Sequence, residues 1–183
     1  MSLITGWIVF AIALVVYYFS AERTGSLWDC GEFVLGAYKL QVVHPPGAPL
    51  FLIIGRLFTW IADVLSNDPQ DIAFAVNLMS GVCTALAAAM VAWTTIVFAR
   101  LSMVGRDQVM NTEQILVACG AGLAAGLATA FSTSIWFSAV EGEVYALSSF
   151  FTALVFWAML KWEHADEHAG NVPAERAKSD RWI

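Results

Sequence analysis

Two carboxylates three residues apart, Asp29 and Glu32 in Trp28-Asp29-Cys30-Gly31-Glu32-Phe33, share one face if that segment is helical. A carboxylate so placed can take a proton from a substrate hydroxyl. A capping box, with Asp29 as N-cap and Glu32 at N3, accounts for the same pair equally. Just downstream, Val43-His44-Pro45-Pro46-Gly47-Ala48-Pro49 fixes a histidine on a proline-rich turn that opens an apolar helix. A second acidic pair, Glu141 and Glu143, stands at the mouth of a later apolar helix, Ala139-Val140-Glu141-Gly142-Glu143-Val144-Tyr145. Acids there interact favourably with the helix dipole. Their closeness to hydrocarbon makes them functional candidates, without a choice between the two.

The elements that must position these residues are apolar runs. Leu3 to Ser20 carries no charge and matches the ~20 residues that cross a bilayer. With no Lys or Arg ahead of it, the run reads as an uncleaved anchor. Further spans are expected at 72–99, 114–131 and 144–160, the third with Gly122 and Gly126 spaced for close helix contact. Between the first two spans, residues 22–71 form a loop with two interfacial helices, Trp28 to Leu40 and Pro49 to Leu65, the second interrupted by Arg56 and Asp63. Ser132 to Glu143 reads as a short turn, and 163–183 as a cytoplasmic tail of mixed charge. Arg100, Arg106, Lys161, Arg176, Lys178 and Arg181 fall on one side and Arg23, Lys39 and Arg56 on the other, which places the N-terminus in the cytoplasm. Asp29, Glu32, Glu141 and Glu143 then share the outer face. The fold class is all-α, a polytopic transmembrane bundle of about four spans plus two interfacial helices.

With 59% hydrophobic and 13% charged residues and a mean hydropathy of +0.69, the chain belongs in a bilayer. Its net charge of -6 and the lack of a basic aromatic patch set nucleic acid aside. Cys30, Cys83 and Cys119 show no C-x-x-C spacing, so no disulfide framework is expected, and Cys30 reads as an incidental small residue in a loop. His164 and His168, four apart, superficially suit a metal but lie in the tail. No cofactor is expected, although the acids leave room for a divalent ion.

The motifs Trp28 to Phe33, Ala37-Tyr38-Lys39-Leu40-Gln41-Val42, His44 to Leu50, Gly55-Arg56-Leu57-Phe58 and Phe137 to Tyr145 together resemble the N-terminal region of a bacterial membrane family. This is the domain of unknown function 2723 family, related to the protein O-mannosyltransferases of the glycosyltransferase C superfamily. More distantly, the layout is similar to that of the lipid A aminoarabinose transferases. Family members are much longer, so the chain reads as an N-terminal part. The resemblance implies an inverting transfer of a sugar, mannose or another hexose, from a polyprenyl phosphate to an acceptor outside a bacterial inner membrane. The acceptor would be a protein Ser/Thr hydroxyl or a glycan. It further implies Asp29 as general base, Glu143 or else Glu141 as the second acid, and His44, Arg56 and Lys39 as local partners of the leaving phosphate. Two other readings compete: a transporter or channel component, in which the acids line an ion path, and a non-catalytic scaffold, in which they only cap helices.

Overall fold

The computed structural model describes residues 2–26, 28–66, 68–105 and 108–169, with backbone alone for Ser2 and 164–169. Leu27, Arg106 and the tail from Gly170, with Arg176, Lys178 and Arg181, lie outside the described residues, as do the side chains of His164 and His168. Among the described residues every regular element is a helix: α1 (Ser2–Ser20), α2 (Cys30–Lys39), α3 (Pro49–Leu65), α4 (Pro69–Val104), α5 (Thr112–Ala130), α6 (Thr133–Val140) and α7 (Val144–Ala169). Four of them, α1, α4, α5 and α7, are long and apolar enough to span a membrane. The protein is thus a helical membrane protein.

Helix starts follow local chemistry. Pro69 opens α4, whose N-cap Asp68 accepts from the Gln70 N–H at 2.9 Å. A capping box between Asn111 and Gln114 opens α5. α4 outruns the expected 72–99 at both ends because its helical turns continue past the charged Asp71 and Arg100 that bound the apolar run; its 36 residues reach about 54 Å. The stretch expected to be a turn, 132–143, is the helix α6 followed by a three-residue link. Its Ala139 and Val140 are buried in the core cluster that holds Val9, Ala13 and Tyr17 of α1, and its Trp136 meets Tyr17 edge to face.

α4 is the hub: α1, α5, α6, α7 and α3 all pack on it. Its buried face is largely alanine (Ala85, Ala88, Ala89 and Ala92 are fully buried), which lets neighbouring backbones come close. Gly122 and Gly126 of α5 use that closeness. A Cβ at Gly122 would lie 2.8 Å from the Ala92 carbonyl oxygen, and one at Gly126 3.0 Å from that of Ala88. Because backbone cannot yield as a side-chain tip can, Gly122→Val is expected to cost about 1–3 kcal/mol by overpacking. Thermal unfolding in detergent checks this. Tyr17, fully buried in α1, donates its hydroxyl to the Ala130 carbonyl at 2.7 Å and locks the C-terminal ends of α1 and α5 together.

The four long helices alternate in direction, α1 and α5 running one way and α4 and α7 the other. Residues 21–68 and 131–143 consequently meet at one end of the bundle. The two helices of the first loop pack on each other and on α4, around Phe33, Ala37, Phe51, Leu52, Val76 and Met79. Arg56 is not a free cation on α3: its Nη1 donates to the Tyr38 carbonyl at 2.6 Å and its guanidinium lies over the Tyr38 ring. It thereby satisfies an orphan carbonyl at the C-terminus of α2, where a cation also meets the favourable end of the helix dipole.

Candidate active site

α2 begins at Cys30, and Asp29 occupies its N-cap position without forming any side-chain capping bond. Glu32 does not reach back either. Both of its carboxylate oxygens are taken by His44: Oε1 accepts the His44 backbone N–H at 2.7 Å and Oε2 pairs with Nδ1 at 2.8 Å. The capping box that the spacing allows is therefore absent, since the tight link through Pro45 and Pro46 brings His44 to Glu32 instead. The other ring nitrogen, Nε2, faces Asp29 Oδ2 at 3.8 Å.

α6 and the 141–143 link supply the opposite wall. Asp29, His44, Glu141 and Glu143 line one cavity of about 390 Å³, with Trp28, Phe33, Phe137 and Tyr145 among its apolar walls. The four polar side chains singled out from distant parts of the chain thus share one water-accessible space at one end of the bundle. Glu32 sits behind His44, Arg56 is engaged at the end of α2, and Lys39 is exposed there; none of the three is part of the cavity wall. Trp28 is almost wholly exposed at the cavity edge, with a left-handed backbone at φ 62°, a costly conformation for a large side chain.

The walls are joined by residues whose roles the sequence hides. Cys30 is fully buried at the start of α2, not an incidental loop residue. Its Sγ accepts the Gly142 N–H at 3.3 Å, and its thiol donates to Asn77 Oδ1 at 3.4 Å. Asn77, fully buried in α4, donates from Nδ2 to the carbonyls of Glu22 (2.8 Å) and Thr24 (3.4 Å). The Glu22 N–H in turn donates to the Val140 carbonyl at 3.1 Å. Gly142 has no room for a side chain without pressing on Asn77, 3.0 Å from where a Cβ would lie. Burial pushes the Cys30 thiol up, with Glu141 and Glu143 adding to the rise, so it is a packing group rather than a nucleophile.

Electrostatics sort the carboxylates. Glu143 is raised above the ordinary carboxylate value, first by burial and then by the like charges of Asp29 and Glu141, with His44 opposing. Glu32 is lowered, first by the ring hydrogen bond from His44 and then by its backbone N–H. His44 is raised, first by that same bond, against a smaller effect of burial, and further by the charges of Glu32, Asp29 and Glu143. The sign follows. The His44 contribution is complete below its ordinary 6.5 and fades as pH rises through the raised value; that of Glu32 is present above 4.5 and fades as pH falls through the lowered one. The 40–48 link should therefore be held most firmly between those limits. An NMR titration of labelled His44 checks this, and Glu32→Gln should move its midpoint downward.

Asp29, Glu32 and His44 each offer a ligand atom within 4.8 Å of the others, so these three residues could hold a divalent ion once His44 released Glu32. Their spacing of three and twelve residues is no metal motif, and only the turn at Pro45-Pro46 brings them together.

A family model described as the protein O-mannosyl-transferase TMEM260 N-terminal domain matches residues 29–183. The chain belongs to this family. The TMEM260 N-terminal match begins at Asp29 and takes in the whole cavity lining except Trp28. The chain is also similar to a Mus musculus protein named protein O-mannosyl-transferase TMEM260, 31% identical over 157 residues, which are 86% of this chain and 19% of that protein. A Dictyostelium discoideum protein named protein O-mannosyl-transferase tmem260 is 23% identical over 150 residues, 82% of this chain and 16% of its own length. The chain thus spans less than a fifth of these curated relatives. No solved structure gives a significant match.

Proposed function

We propose that this chain is the catalytic N-terminal part of a membrane glycosyltransferase that moves a hexose, mannose in the first instance, from a polyprenyl-phosphate donor to a protein Ser/Thr hydroxyl or a glycan. The observation that carries this reading is the single cavity lined by Asp29, His44, Glu141 and Glu143 at one end of four membrane-length helices. The names of the two relatives support the reaction class and the protein acceptor. In the proposed step Asp29 accepts the acceptor's hydroxyl proton while its oxygen attacks the anomeric carbon from the face opposite the leaving group. The bond from that carbon to phosphate oxygen breaks, the configuration inverts, and polyprenyl phosphate departs with the added negative charge. His44, which lines the cavity and whose Nε2 is 3.8 Å from Asp29 Oδ2, is the partner assigned to that charge. Lys39 and Arg56 lie on the same loop and add to the positive field around it. Glu143, with its raised proton affinity, is the second acid; Glu141 beside it is the alternative.

The cavity is assigned to the extracytoplasmic side and the N-terminus to the cytoplasm, on the strength of the positive charges at Arg100 and Lys161 at the far end. The membrane proposed is the bacterial inner membrane, on the motif resemblance alone; both named relatives come from eukaryotes. Mass spectrometry of envelope and secreted proteins, with and without the intact gene, tests the function. Loss of hexose from Ser or Thr is expected, and an unchanged glycopeptide set would leave the scaffold reading in its place.

A further inference from the structure

A second hollow lies within the membrane-spanning part, away from the acids. α5 and α7 each pack on α4 but scarcely on one another, and leave between them a groove of about 360 Å³. Its walls include Thr84 and Ala87 of α4, Thr129 of α5, and Ser148, Thr152 and Ala153 of α7. Small residues of this kind allow a helix backbone to approach closely. Thr129 and Thr152 bond to carbonyls of their own helices, at 2.9 Å to Ala125 and Ser148. Thr84 does not. It is 1% exposed, lines the groove, and its Oγ1 has no hydrogen-bond partner; Ser80, one turn nearer the candidate active site, is in the same condition.

Thr84 lies about 10 Å along α4 from Asn77, in the direction of the membrane interior. A buried hydroxyl left unpaired there costs about 1–3 kcal/mol, and hydrocarbon has nothing to offer it. A lipid or isoprenoid chain in the groove would cover apolar surface and leave the hydroxyl unsatisfied. A helix carrying a polar side chain would do both. More than four fifths of each named relative lies beyond the matched stretch, ample length for further spans.

We propose that this groove receives a further transmembrane helix of the same protein, from outside residues 1–183, which presents a hydrogen-bonding side chain to Thr84. This does not depend on the proposed chemistry, since the groove shares no lining residue with the cavity of Asp29 and Glu143. To test it, a photoreactive benzoylphenylalanine replaces Ala153 in the full-length protein in native membranes, and the cross-linked peptides are mapped by mass spectrometry. The expected adduct joins α7 to an apolar segment of the same chain outside residues 1–183. A cross-linked dimer, or adducts to lipid alone, would overturn the proposal. Thr84→Val reads the hydrogen bond itself. If a partner is present, the unfolding equilibrium of the full-length protein in mixed micelles shifts about threefold toward the unfolded state, a typical interhelical hydrogen bond. If the hydroxyl is orphaned in the full-length protein as well, valine leaves that equilibrium unchanged or shifts it the other way, which counts against the proposal.

Discussion

Asp29→Asn in the full-length protein is expected to lower sugar transfer by about two to four orders of magnitude, the contribution of a well-placed general base, with membrane insertion and melting temperature unchanged. The separation of the two effects follows from the site. The Asp29 carboxylate makes no cap bond to α2, and its side chain is 55% exposed to the cavity, so an isosteric amide leaves no buried group unpaired. Transfer assayed with a synthetic polyprenyl-phosphate sugar, beside a thermal melt of the same preparation, reads both. Unaltered transfer would remove Asp29 from the reaction; loss of fold together with activity would return it to a structural role. Glu32→Gln serves as a contrast, because its effect should pass through His44 and appear as a displaced pH profile rather than a uniform loss.

Asn77→Leu is expected to be the most damaging single change to the scaffold, at about 3 kcal/mol. It removes the donor to the Glu22 and Thr24 carbonyls and the acceptor of the Cys30 thiol, all in a fully buried position. Leucine is of similar size but cannot hydrogen-bond, so the loss reflects unpaired polar groups more than volume. The melting temperature should fall, and amide exchange should quicken in 22–26 and 141–143 before it does in the far halves of α4 and α5. Exchange that quickens uniformly would mean that Asn77 supports the bundle generally and not this joint. Cys30→Ala, which leaves Asn77 bonded to Glu22, should be markedly milder.

Much of this architecture is legible in the chain because the bilayer imposes length and apolarity on every span, and charge-free runs at 3–20, 72–99, 114–131 and 144–160 leave few alternatives. The meeting of Asp29 with Glu143 is legible for the same reason: counting crossings brings their segments to one end. What periodicity cannot supply is how a polar group chooses between neighbours. Asp29 and Glu32 have capping-box spacing, yet Glu32 turns to His44, because the proline turn presents both a backbone N–H and a ring nitrogen to it. Arg56 reads as a cation placed for phosphate, and nothing in the local pattern tells that its Nη1 donates to the α2 carbonyl of Tyr38. Cys30 and Asn77 each look unremarkable alone; their importance lies in a joint between segments whose distance in the chain, 112 residues from Cys30 to Gly142, no local pattern bridges. α6 escaped because eight residues beginning Thr-Ser-Ile, with Ser132 ahead of them, look like a turn until Trp136 is seen against Tyr17.

The joint of Cys30, Asn77 and Gly142 also sets an order of assembly during biogenesis. α2 can settle on α4 as soon as that helix has left the ribosome and entered the lipid, but the wall bearing Glu141 and Glu143 is translated later, after α5 and α6. The pocket is therefore complete only when α7 has been inserted, and a nascent chain arrested before that point would carry a folded half-site with one side open.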